Sequence, residues 1–393
     1  MVEKITATDL RDKIDAGEEF VLFDNRPEAD YENWHIDGAK SVEYSAADDE
    51  LIGDLERHRE EVEAAEEVVT ICAVGKASQA FAEYLEDEEG LEDVTVVEEG
   101  MDGWGQVYDV VPIATRSNDL EILQLQRRGK GCLGYVVGCS RTGEAAAIDV
   151  TRHNREFLEA ARDHGFRITA IFETHIHADH LMVGGRELRD ELEVPYYLGS
   201  EIETRDPEFE YDPVEPTGTI EVGEVTLKGI HTPGHTTGST CWLVEDETVM
   251  TGDTLFVESV GRTELQFEGA DAEDASEILY ESLQSLMELP DTVTVLPGHF
   301  NVTNDGRYVG VTPGTPMSTT IGYIRRHNEM VRMDKAEYVE TAFENIPEKP
   351  PNYETVIATN EGKRDLESED EADELELGPN RCAATEESVL ATD

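Results

Sequence analysis

Residues 174–180 read Thr174-His175-Ile176-His177-Ala178-Asp179-His180, and this stretch decides how the second half of the chain folds. It follows the apolar run 168–172, which we interpret as a strand. Residues two apart on an extended chain share a face, so His175 and His177 can point at one ion. Asp179 and His180 come where the chain should turn into a helix, and they can serve a second position. The stretch therefore predicts a metal site at the end of a strand.

Three later segments carry the same chemistry at the ends of predicted strands. They are His231-Thr232-Pro233-Gly234-His235, Thr251-Gly252-Asp253 and Pro297-Gly298-His299. The glycine in each segment lets the backbone turn sharply beside a ligand. Imidazole and carboxylate groups together suit zinc, iron or manganese. In His-Thr-Pro-Gly-His only the second histidine is expected to bind, so we interpret His231 as structural.

Residues 1–112 are predicted to form a small α/β unit. Apolar runs at 20–24, 68–72 and 93–97 indicate strands, and residues 78–85 carry apolar side chains at helical spacing. Strands that alternate with helices favour a parallel sheet.

Cys72 ends one of these strands, directly before the predicted helix. Its thiol would face free backbone N–H groups and the positive end of the helix dipole, and Lys76 adds a cation. Both influences favour the thiolate, which is the reactive form of cysteine. A buried, inert cysteine is the alternative for a lone residue at a strand end.

The pattern of predicted strands and helices changes after residue 118. Residues 119–360 are predicted to form a second domain, with 113–118 as the linker. Strand patterns at 120–125, 134–137, 219–230 and 241–250 alternate with helical patterns at 155–164, 185–192 and 275–289. Two such β-then-α halves predict a sandwich with sheets inside and helices outside. The segment 361–375 is charged and nearly devoid of large apolar residues, so we expect a mobile acidic loop.

Acidic residues dominate the composition. Asp and Glu number 89 against 31 Lys and Arg, which gives a net charge of −58. Such a chain repels nucleic acid and anionic membranes, so neither is an expected partner. Molar salt shortens the Debye length to about 3 Å and screens the self-repulsion. Because the charges are dispersed, we interpret the chain as halophilic rather than as an ordinary protein with one acidic tail.

The cellular location and the state of the cysteines are predicted from signals that the sequence lacks. The N-terminus does not resemble a signal peptide and no window approaches the roughly 18 apolar residues of a membrane span, which predicts a cytoplasmic protein. The five cysteines lack paired spacing, which argues against a disulfide framework. Apart from Cys72 they are interpreted as structural: Cys132, Cys139, Cys241 and Cys382.

The order of the motifs THIHADH, HTPGHT, TGDT and PGH resembles that of the metallo-β-lactamase superfamily, whose fold is an αββα sandwich. Residues 119–300 are similar to the persulfide dioxygenase group, and more distantly to the hydroxyacylglutathione hydrolases (glyoxalase II). Features that favour the former group are Gly131-Cys132-Leu133-Gly134-Tyr135, Gly261-Arg262-Thr263-Glu264 and the terminal run 378–383. The resemblance implies that residues 376–393 pack back on the domain.

This resemblance implies two ways of dividing the ligands. Persulfide dioxygenases hold one Fe²⁺ with two histidines and one carboxylate, here His175, His235 and Asp253, and leave positions for substrate sulfur and dioxygen. The other donors would then fix ligands and substrate, with Asp179 also catalytic; they are His177, Asp179, His180 and His299. In a dinuclear hydrolase one Zn²⁺ would bind His175, His177 and His235, a second would bind Asp179, His180 and His299, and Asp253 would bridge them.

Arg262 follows the predicted strand end at 258–261. We interpret it as a clamp for a carboxylate on a thiol substrate. A surface ion pair in a very acidic protein is the alternative.

Residues 5–110 resemble rhodanese domains. The segments 24–31, 35–39 and 99–104 flank the Cys72 loop in the order seen in that family. The resemblance implies that Cys72 carries sulfane sulfur as a persulfide, cradled by the loop 73–78, with Lys76 near the substrate.

The two resemblances together predict an enzyme of sulfur metabolism. It would combine sulfur transfer at Cys72 with metal-dependent oxidation of a small-molecule thiol persulfide to sulfite. The alternatives are a dinuclear zinc hydrolase of acyl-thiol esters with an accessory rhodanese domain, and a sulfur carrier or docking module. A homo-oligomer is compatible with the sequence.

Overall fold

The computed structural model describes residues 2–267, 269–344, 349–350, 352–376 and 378–380. The chain begins with a unit of short strands and helices. These elements are β1 (Glu3–Ile5), α1 (Ala7–Ala16), β2 (Val21–Asp24), α2 (Glu28–Asn33), β3 (Lys40–Ser41), β4 (Tyr44–Ser45), β5 (Glu50–Leu51), a 3₁₀ helix (Leu55–His58), α3 (Arg59–Ala64), β6 (Val68–Ile71), α4 (Lys76–Asp87), β7 (Val94–Val97) and α5 (Gly100–Trp104).

A parallel sheet in the order β1-β7-β6-β2-β3 forms the centre of this unit. Every residue of β6 and β7 is buried, as expected when helices cover both faces of a parallel sheet. Leu22 packs with Leu10 and Trp104 on one face, while Phe23 packs with Phe81 on the other. The predicted α/β fold with a parallel sheet is confirmed.

The second unit contains more and longer strands. Its elements are β8 (Tyr108–Ile113), β9 (Leu120–Arg127), β10 (Leu133–Cys139), β11 (Glu144–Ile148), α6 (Asn154–Asp163), β12 (Arg167–Phe172), α7 (Val183–Leu192), β13 (Tyr196–Gly199), a 3₁₀ helix (Ser200–Arg205), β14 (Asp212–Val214), β15 (Thr219–Val222), β16 (Val225–His231), β17 (Thr240–Val244), β18 (Thr248–Gly252), α8 (Ala270–Leu286), β19 (Thr294–Pro297), β20 (Asn301–Val302), β21 (Tyr308–Val309), β22 (Thr319–Thr320), α9 (Ile321–His327), α10 (Glu329–Arg332), α11 (Lys335–Glu344), α12 (Tyr353–Asn360) and α13 (Glu369–Leu375).

Two sheets face each other in this unit, in the orders β14-β13-β12-β11-β10-β9-β8 and β15-β16-β17-β18-β19-β22. Phe172 of the first sheet and Trp242 of the second pack edge to face in the core between them, with ring centroids 5.0 Å apart. Phe157 of α6 covers the outer face of the first sheet, and Leu283 of α8 covers that of the second. The predicted αββα sandwich is confirmed.

Strand β8 corrects the predicted boundary between the units. The sequence places residues up to 112 in the first unit, but β8 pairs antiparallel with β9 at the edge of the seven-stranded sheet. Pro112 fits this edge because proline cannot donate to a further strand. The predicted linker 113–118 is anchored to the second unit. The N–H groups of Arg116 and Ser117 donate to the Glu247 carboxylate at 2.9 and 3.2 Å.

The predicted mobile loop 361–375 is also corrected, because its last seven residues form helix α13. Ser368 begins this helix, and its side chain accepts the N–H of Glu371. Ala372 and Leu375 lie three residues apart and are buried with Leu181. These two contacts hold one face of the helix, while acidic side chains in its first turn favour the positive helix end.

Residues 376 and 378–380 lie against the second unit. Glu376 is buried and forms ion pairs with Arg127 and Arg152, each at 2.8 Å. The Asn380 side chain donates to the carbonyl groups of Lys130 and Phe300. Cys382 lies outside the described residues.

The two units make direct polar contacts. Arg128 of the second unit pairs with Asp15 of the first, and Arg127 donates to the carbonyl of Gly105 at 2.5 Å. The N–H of His35 donates to the carbonyl of Asn304. In the described part of the chain, no helix has both the length and the apolar character that crossing a bilayer requires.

Candidate metal centre

The predicted ligands lie on connections that follow strands of both sheets. β12 leads to the loop 173–182, and β16, β18 and β19 lead to His235, Asp253 and His299. Gly298 permits the last two to approach each other, since a Cβ atom there would lie 2.5 Å from Oδ1 of Asp253. The seven predicted ligands are each at most 2% exposed. The sandwich therefore gathers them at one buried edge.

His175, His235 and Asp253 form one group of donors, which we call the triad. Oδ2 of Asp253 lies 3.7 Å from Nε2 of His175 and 3.8 Å from Nε2 of His235. An ion about 2 Å from each donor fits these separations. Nε2 of His175 and Oδ2 of Asp253 are buried without a hydrogen-bond partner. Since unpaired buried polar atoms are costly, the triad fits a metal ion.

Hydrogen bonds on the far side of each ring fix the imidazole tautomers of the triad. Nδ1 of His235 donates to the carbonyl oxygen of Arg262 at 2.6 Å. Nδ1 of His175 donates to Oγ1 of Thr174, which donates in turn to Asp149. Both Nε2 atoms therefore carry a lone pair toward the triad. Burial lowers the pKa of both histidines, which keeps the rings neutral as metal ligands must be.

A second group of donors, Cys132, Asp179, His180 and His299, lies beside the triad. Oδ1 of Asp179 accepts from Nδ1 of His180 at 2.9 Å, and its Oδ2 lies 3.1 Å from Nε2 of His299. Nδ1 of His299 also donates to Oδ1 of Asp253 at 2.6 Å, which connects the two groups. Sequence reasoning treated Cys132 as a packed small residue and missed its position here.

The side chains of the second group are buried, and their opposite charges shift one another's pKa values. Burial opposes ionisation of Asp179, but the charges of His299 and His180 outweigh it and lower the pKa of this carboxyl well below its usual range. Burial likewise lowers the pKa of His180, but Cys132 and Asp179 raise it to about 10. A divalent ion takes the place of such protons when it binds, because its ligands must be deprotonated.

His177 lies close to two further acidic residues, and its Nδ1 is buried without a hydrogen-bond partner. Its Nε2 lies 3.6 Å from Oδ1 of Asp149 and 3.8 Å from Oε2 of Glu173. Burial raises the pKa of Glu173 to about 7. Sequence reasoning did not single out these two acids, although Glu173 directly precedes the motif 174–180.

Asn360, at the end of α12, holds the ligand loop from outside. Its Nδ2 donates to the carbonyl groups of His177 and His180, and its Oδ1 accepts the N–H of Met182. All three bonds lie within 3 Å. Asn360 is 178 or more residues away along the chain, so no local pattern pointed to it.

The side chains of Arg262 and His231 pair with residues outside the two groups of metal donors. The buried Arg262 side chain forms an ion pair with Glu264, while its carbonyl orients His235. Nε2 of His231 donates to the carbonyl of Thr237 at 3.0 Å, which agrees with the structural role expected for it. The carboxylate clamp at Arg262 remains a prediction.

The Cys72 loop connects β6 to α4 in the first unit. Cys72 is 3% exposed and its Sγ accepts a hydrogen bond from the Ser78 hydroxyl at 3.4 Å. Gly75 turns the loop with φ of 80° and places the exposed Lys76 at the start of α4. The N–H of Met101 donates to the Cys72 carbonyl at 2.7 Å. The thiol thus lies at the N-terminal end of a helix, as predicted.

Comparisons with known proteins agree with both units. A family model described as "Metallo-beta-lactamase superfamily" matches residues 129–299, and one described as "Rhodanese-like domain" matches residues 6–106. An uncharacterised protein of Mycobacterium leprae is 33% identical over 224 residues, which is 50% of this chain and 92% of the relative. A hydroxyacylglutathione hydrolase of Nitrosococcus oceani is 29% identical over 250 residues, which is 57% of this chain and 90% of the relative.

The solved structure of ETHE1 from Myxococcus xanthus is similar as well. It has a TM-score of 0.52 and 26% sequence identity, and the match covers 62% of this chain and 99% of that one. The chain therefore belongs to the metallo-beta-lactamase superfamily of metal-dependent enzymes and carries a rhodanese-like domain ahead of its metal-binding domain.

Proposed function

We propose that the protein is an enzyme of sulfur metabolism that transfers sulfane sulfur at Cys72 and oxidises a small-molecule thiol persulfide to sulfite. One Fe²⁺ held by His175, His235 and Asp253 would serve the oxidation. The observation that carries the proposal is the separation of this triad from the other donors. Two imidazoles and one carboxylate suit non-haem iron that keeps positions for substrate and dioxygen.

The grouping of the donors supports a triad over a larger ligand set. A hydrolase would use His177 together with His175 and His235 on one zinc. His177 instead groups with Asp149 and Glu173, although its Nδ1 is buried without a hydrogen-bond partner. The three mutually close donors of the first group are therefore those of the triad.

Iron bound to the triad would supply the activation of dioxygen. In the overall reaction the outer sulfur of the persulfide gives four electrons to one dioxygen molecule, and one water supplies the third oxygen of sulfite. The sulfur–sulfur bond breaks and the thiol leaves with a proton. His299 orients Asp253 through the bond to Oδ1, so that Oδ2 faces the two imidazoles. The donor side chains are each at most 2% exposed, so bulk water would have little access to the ion that they hold.

The rhodanese-like domain would supply the substrate. The Cys72 thiolate attacks the outer sulfur of a persulfide donor, the donor leaves as a thiolate, and the sulfane sulfur remains on Cys72. A small thiol then takes this sulfur and restores the Cys72 thiolate. The thiol that oxidation releases is itself such an acceptor, so the two reactions are chemically complementary.

Protein purified without oxygen tests the oxidation. We expect about one iron per chain, together with oxygen uptake and sulfite formation when glutathione persulfide is added. Asp253→Asn should remove both the iron and the uptake. Asp246→Asn is the matched control, because Asp246 lies in an exposed turn with φ of 50° that asparagine tolerates. A full complement of iron without oxygen uptake would contradict the proposal.

Sulfur transfer is tested separately with thiosulfate or persulfide as donor and cyanide as acceptor. We expect Cys72→Ser to abolish the transfer while oxygen uptake with added persulfide continues. Cys139→Ser serves as the control, since this buried cysteine lies at the end of β10 in the other domain. Unchanged transfer by the Cys72→Ser protein would exclude Cys72 as the carrier.

A dinuclear zinc hydrolase of acyl-thiol esters is the second candidate. The grouping of Asp179, His180 and His299 beside the triad favours it, as does the similarity to hydroxyacylglutathione hydrolases. Two zinc ions per chain and rapid cleavage of S-lactoylglutathione, with no persulfide turnover, would support it over the oxidation.

A further inference from the structure

A small cavity lies between the two units. Its volume of about 20 Å³ suffices for one water molecule or one small ion. The C-terminal residues Asp373 and Glu376 form part of its wall. The rest of the wall includes side chains from both units: Trp34, Met101, Asp102, Arg127, Lys130 and Arg152. An occupant of the cavity would therefore contact both domains at once.

The cavity wall contains three buried cations and little buried negative charge. The side chains of Arg127 and Arg152 are at most 8% exposed, and Lys130 is 4% exposed. Both arginines share the buried carboxylate of Glu376, at 2.8 Å each. Arg152 also pairs with Asp373, whose side chain is partly exposed. These two carboxylates serve the two arginines, so the positive charge of the lysine is in excess.

Lys130 is held by main-chain oxygen atoms. Its Nζ donates to the carbonyl groups of Glu376 and Gly378 at 3.0 and 3.2 Å. Among the described residues, the ammonium group thus has carbonyl groups as its partners and no carboxylate. An ammonium group carries three N–H donors, so one more acceptor can bind to it. A buried charge without a counter-charge is costly, which favours an anion as that acceptor.

Arg127 independently indicates an occupant, because one of its donors has no acceptor. Its Nη1 lies 2.8 Å from Oε2 of Glu376, but neither this oxygen nor another described atom accepts a hydrogen bond from it. Its Nε donates to the carbonyl of Gly105 instead. Buried donors nearly always have partners, and Arg127 is 2% exposed. The unpaired Nη1 therefore fits an acceptor inside the cavity.

Asp102 of α5 does not balance the excess charge. Burial raises the pKa of this carboxyl to about 6, and Asp373 acts in the same direction, although Arg152 opposes both. A carboxylate paired with Lys130 would have a lowered pKa instead. Asp102 is therefore a source of repulsion for an anion in the cavity rather than the counter-ion of the lysine.

We propose that this cavity is an anion site, in which one chloride ion accepts hydrogen bonds from Lys130 and Arg127 between the two domains. A monovalent anion balances the single excess charge, and its size suits the small cavity. Because the ion would contact both units, it would stabilise their fixed arrangement. The inference goes beyond persulfide oxidation and does not depend on it, since neither Cys72 nor the triad takes part.

The line width of the chloride NMR signal measures the proposed binding, because a quadrupolar nucleus relaxes faster while it is bound to a slowly tumbling protein. The full chain is titrated with KCl, and potassium gluconate, whose anion is much larger, keeps the total salt constant. We expect excess line width that saturates as for a single site. The surface should add little, because a net charge of −58 repels anions.

Three substitutions test the cavity wall. Lys130→Gln removes the positive charge and should weaken chloride binding at least about 10-fold, since a hydrogen bond from a charged donor is lost. Lys228→Gln, on β16 of the same unit, is the matched control and should bind chloride as the wild type does. Asp102→Asn removes the repulsive carboxylate and should tighten the binding several-fold.

Asp253→Asn separates the cavity from the triad. This variant should lose iron and keep the excess line width, whereas loss of the excess would show that the chloride was bound to iron and would overturn the proposal. Circular dichroism shows whether each variant is folded; if Lys130→Gln is not, Asp102→Asn decides. A wild-type protein without excess line width, unchanged binding by folded Lys130→Gln, or binding by Asp102→Asn no tighter than that of the wild type would also overturn it.

Discussion

Thr174 holds a metal ligand in the form that a metal needs. Its hydroxyl accepts Nδ1–H of His175 at 2.9 Å and donates to Oδ2 of Asp149 at 3.0 Å. The chain of bonds keeps the proton on Nδ1 and the lone pair on Nε2. Because all three side chains are buried, water cannot replace the hydroxyl.

Thr174→Val keeps the shape of this side chain and removes the hydroxyl. We expect the affinity of the triad for iron to fall about 10- to 100-fold, as for other partners of metal ligands. Competition with a chelator of known affinity measures the change. Thr219→Val, at an exposed position of β15, is the control and should bind iron as the wild type does. Equal affinity in the two variants would show that the hydroxyl does not orient His175.

The sequence singled out seven candidate metal donors but not Cys132, Glu173 or Asn360. The candidates stand in short motifs with glycine or a neighbouring histidine, whereas their division into a triad and supporting residues follows only from the family resemblance. Cys132 and Asn360 reach the site through pairing with segments more than 160 residues away, and a single sequence does not reveal such contacts.

At the scale of elements, one buried carboxylate holds helix α13 against the second unit. Glu376 follows α13, pairs with Arg127 and Arg152, and accepts the N–H of Leu181 at 2.6 Å. Burial would raise the pKa of Glu376, but the two arginine charges lower it well below its usual range. The helix is therefore held at its C-terminal end by charge and along one face by two apolar side chains.

Glu376→Gln leaves Arg127 buried without its counter-charge, while Arg152 keeps its ion pairs with Asp373 and Glu369. We expect a loss of roughly 3–5 kcal/mol in the free energy of unfolding, measured with urea at pH 7. Glu374→Gln is the matched control, because Glu374 is exposed on the same helix. The depressed pKa stabilises the folded protein fully only above the unfolded-state value of about 4.3, and this contribution is lost as the pH falls below it. The difference between wild type and Glu376→Gln should therefore shrink below about pH 4.3; a constant difference would contradict it.

The elements that sequence reasoning placed correctly have strong local periodicity, such as β6, β12 and α8. Two elements that the sequence did not predict, helix α13 and strand β8, lack a local pattern that specifies their place in the fold. Helix α13 buries only Ala372 and Leu375, and acidic residues fill the rest of it, so its composition is typical of a disordered segment. Strand β8 has an apolar pattern, but nothing in it tells which of two sheets it joins.

At the scale of the whole molecule, charge is the dominant property. The net charge of −58 is spread over both units, and a folded chain holds these charges closer together than an unfolded one. Screening by salt should therefore favour the folded state. We propose on this ground that the protein is adapted to high salt.

We expect the melting temperature to rise by about 10 °C or more between 0.1 and 2 M KCl, which corresponds to roughly 3–5 kcal/mol for a domain of this size. Differential scanning calorimetry measures the shift. Sucrose is the control, because it also favours burial but does not screen charge. A melting temperature that does not depend on KCl, or that rises equally with sucrose, would contradict the halophilic interpretation.

Strand β8 determines where the protein can be divided into separately expressed fragments. A cut near residue 106 leaves the seven-stranded sheet complete, whereas a cut at residue 112 removes its edge strand. The newly exposed β9 is eight residues long and almost entirely buried in the intact protein. Such an edge offers unpaired backbone groups and apolar side chains to other copies of the chain. Moving the cut from residue 106 to residue 112 therefore changes a fragment whose sheet edge is covered by β8 into one that is prone to aggregate.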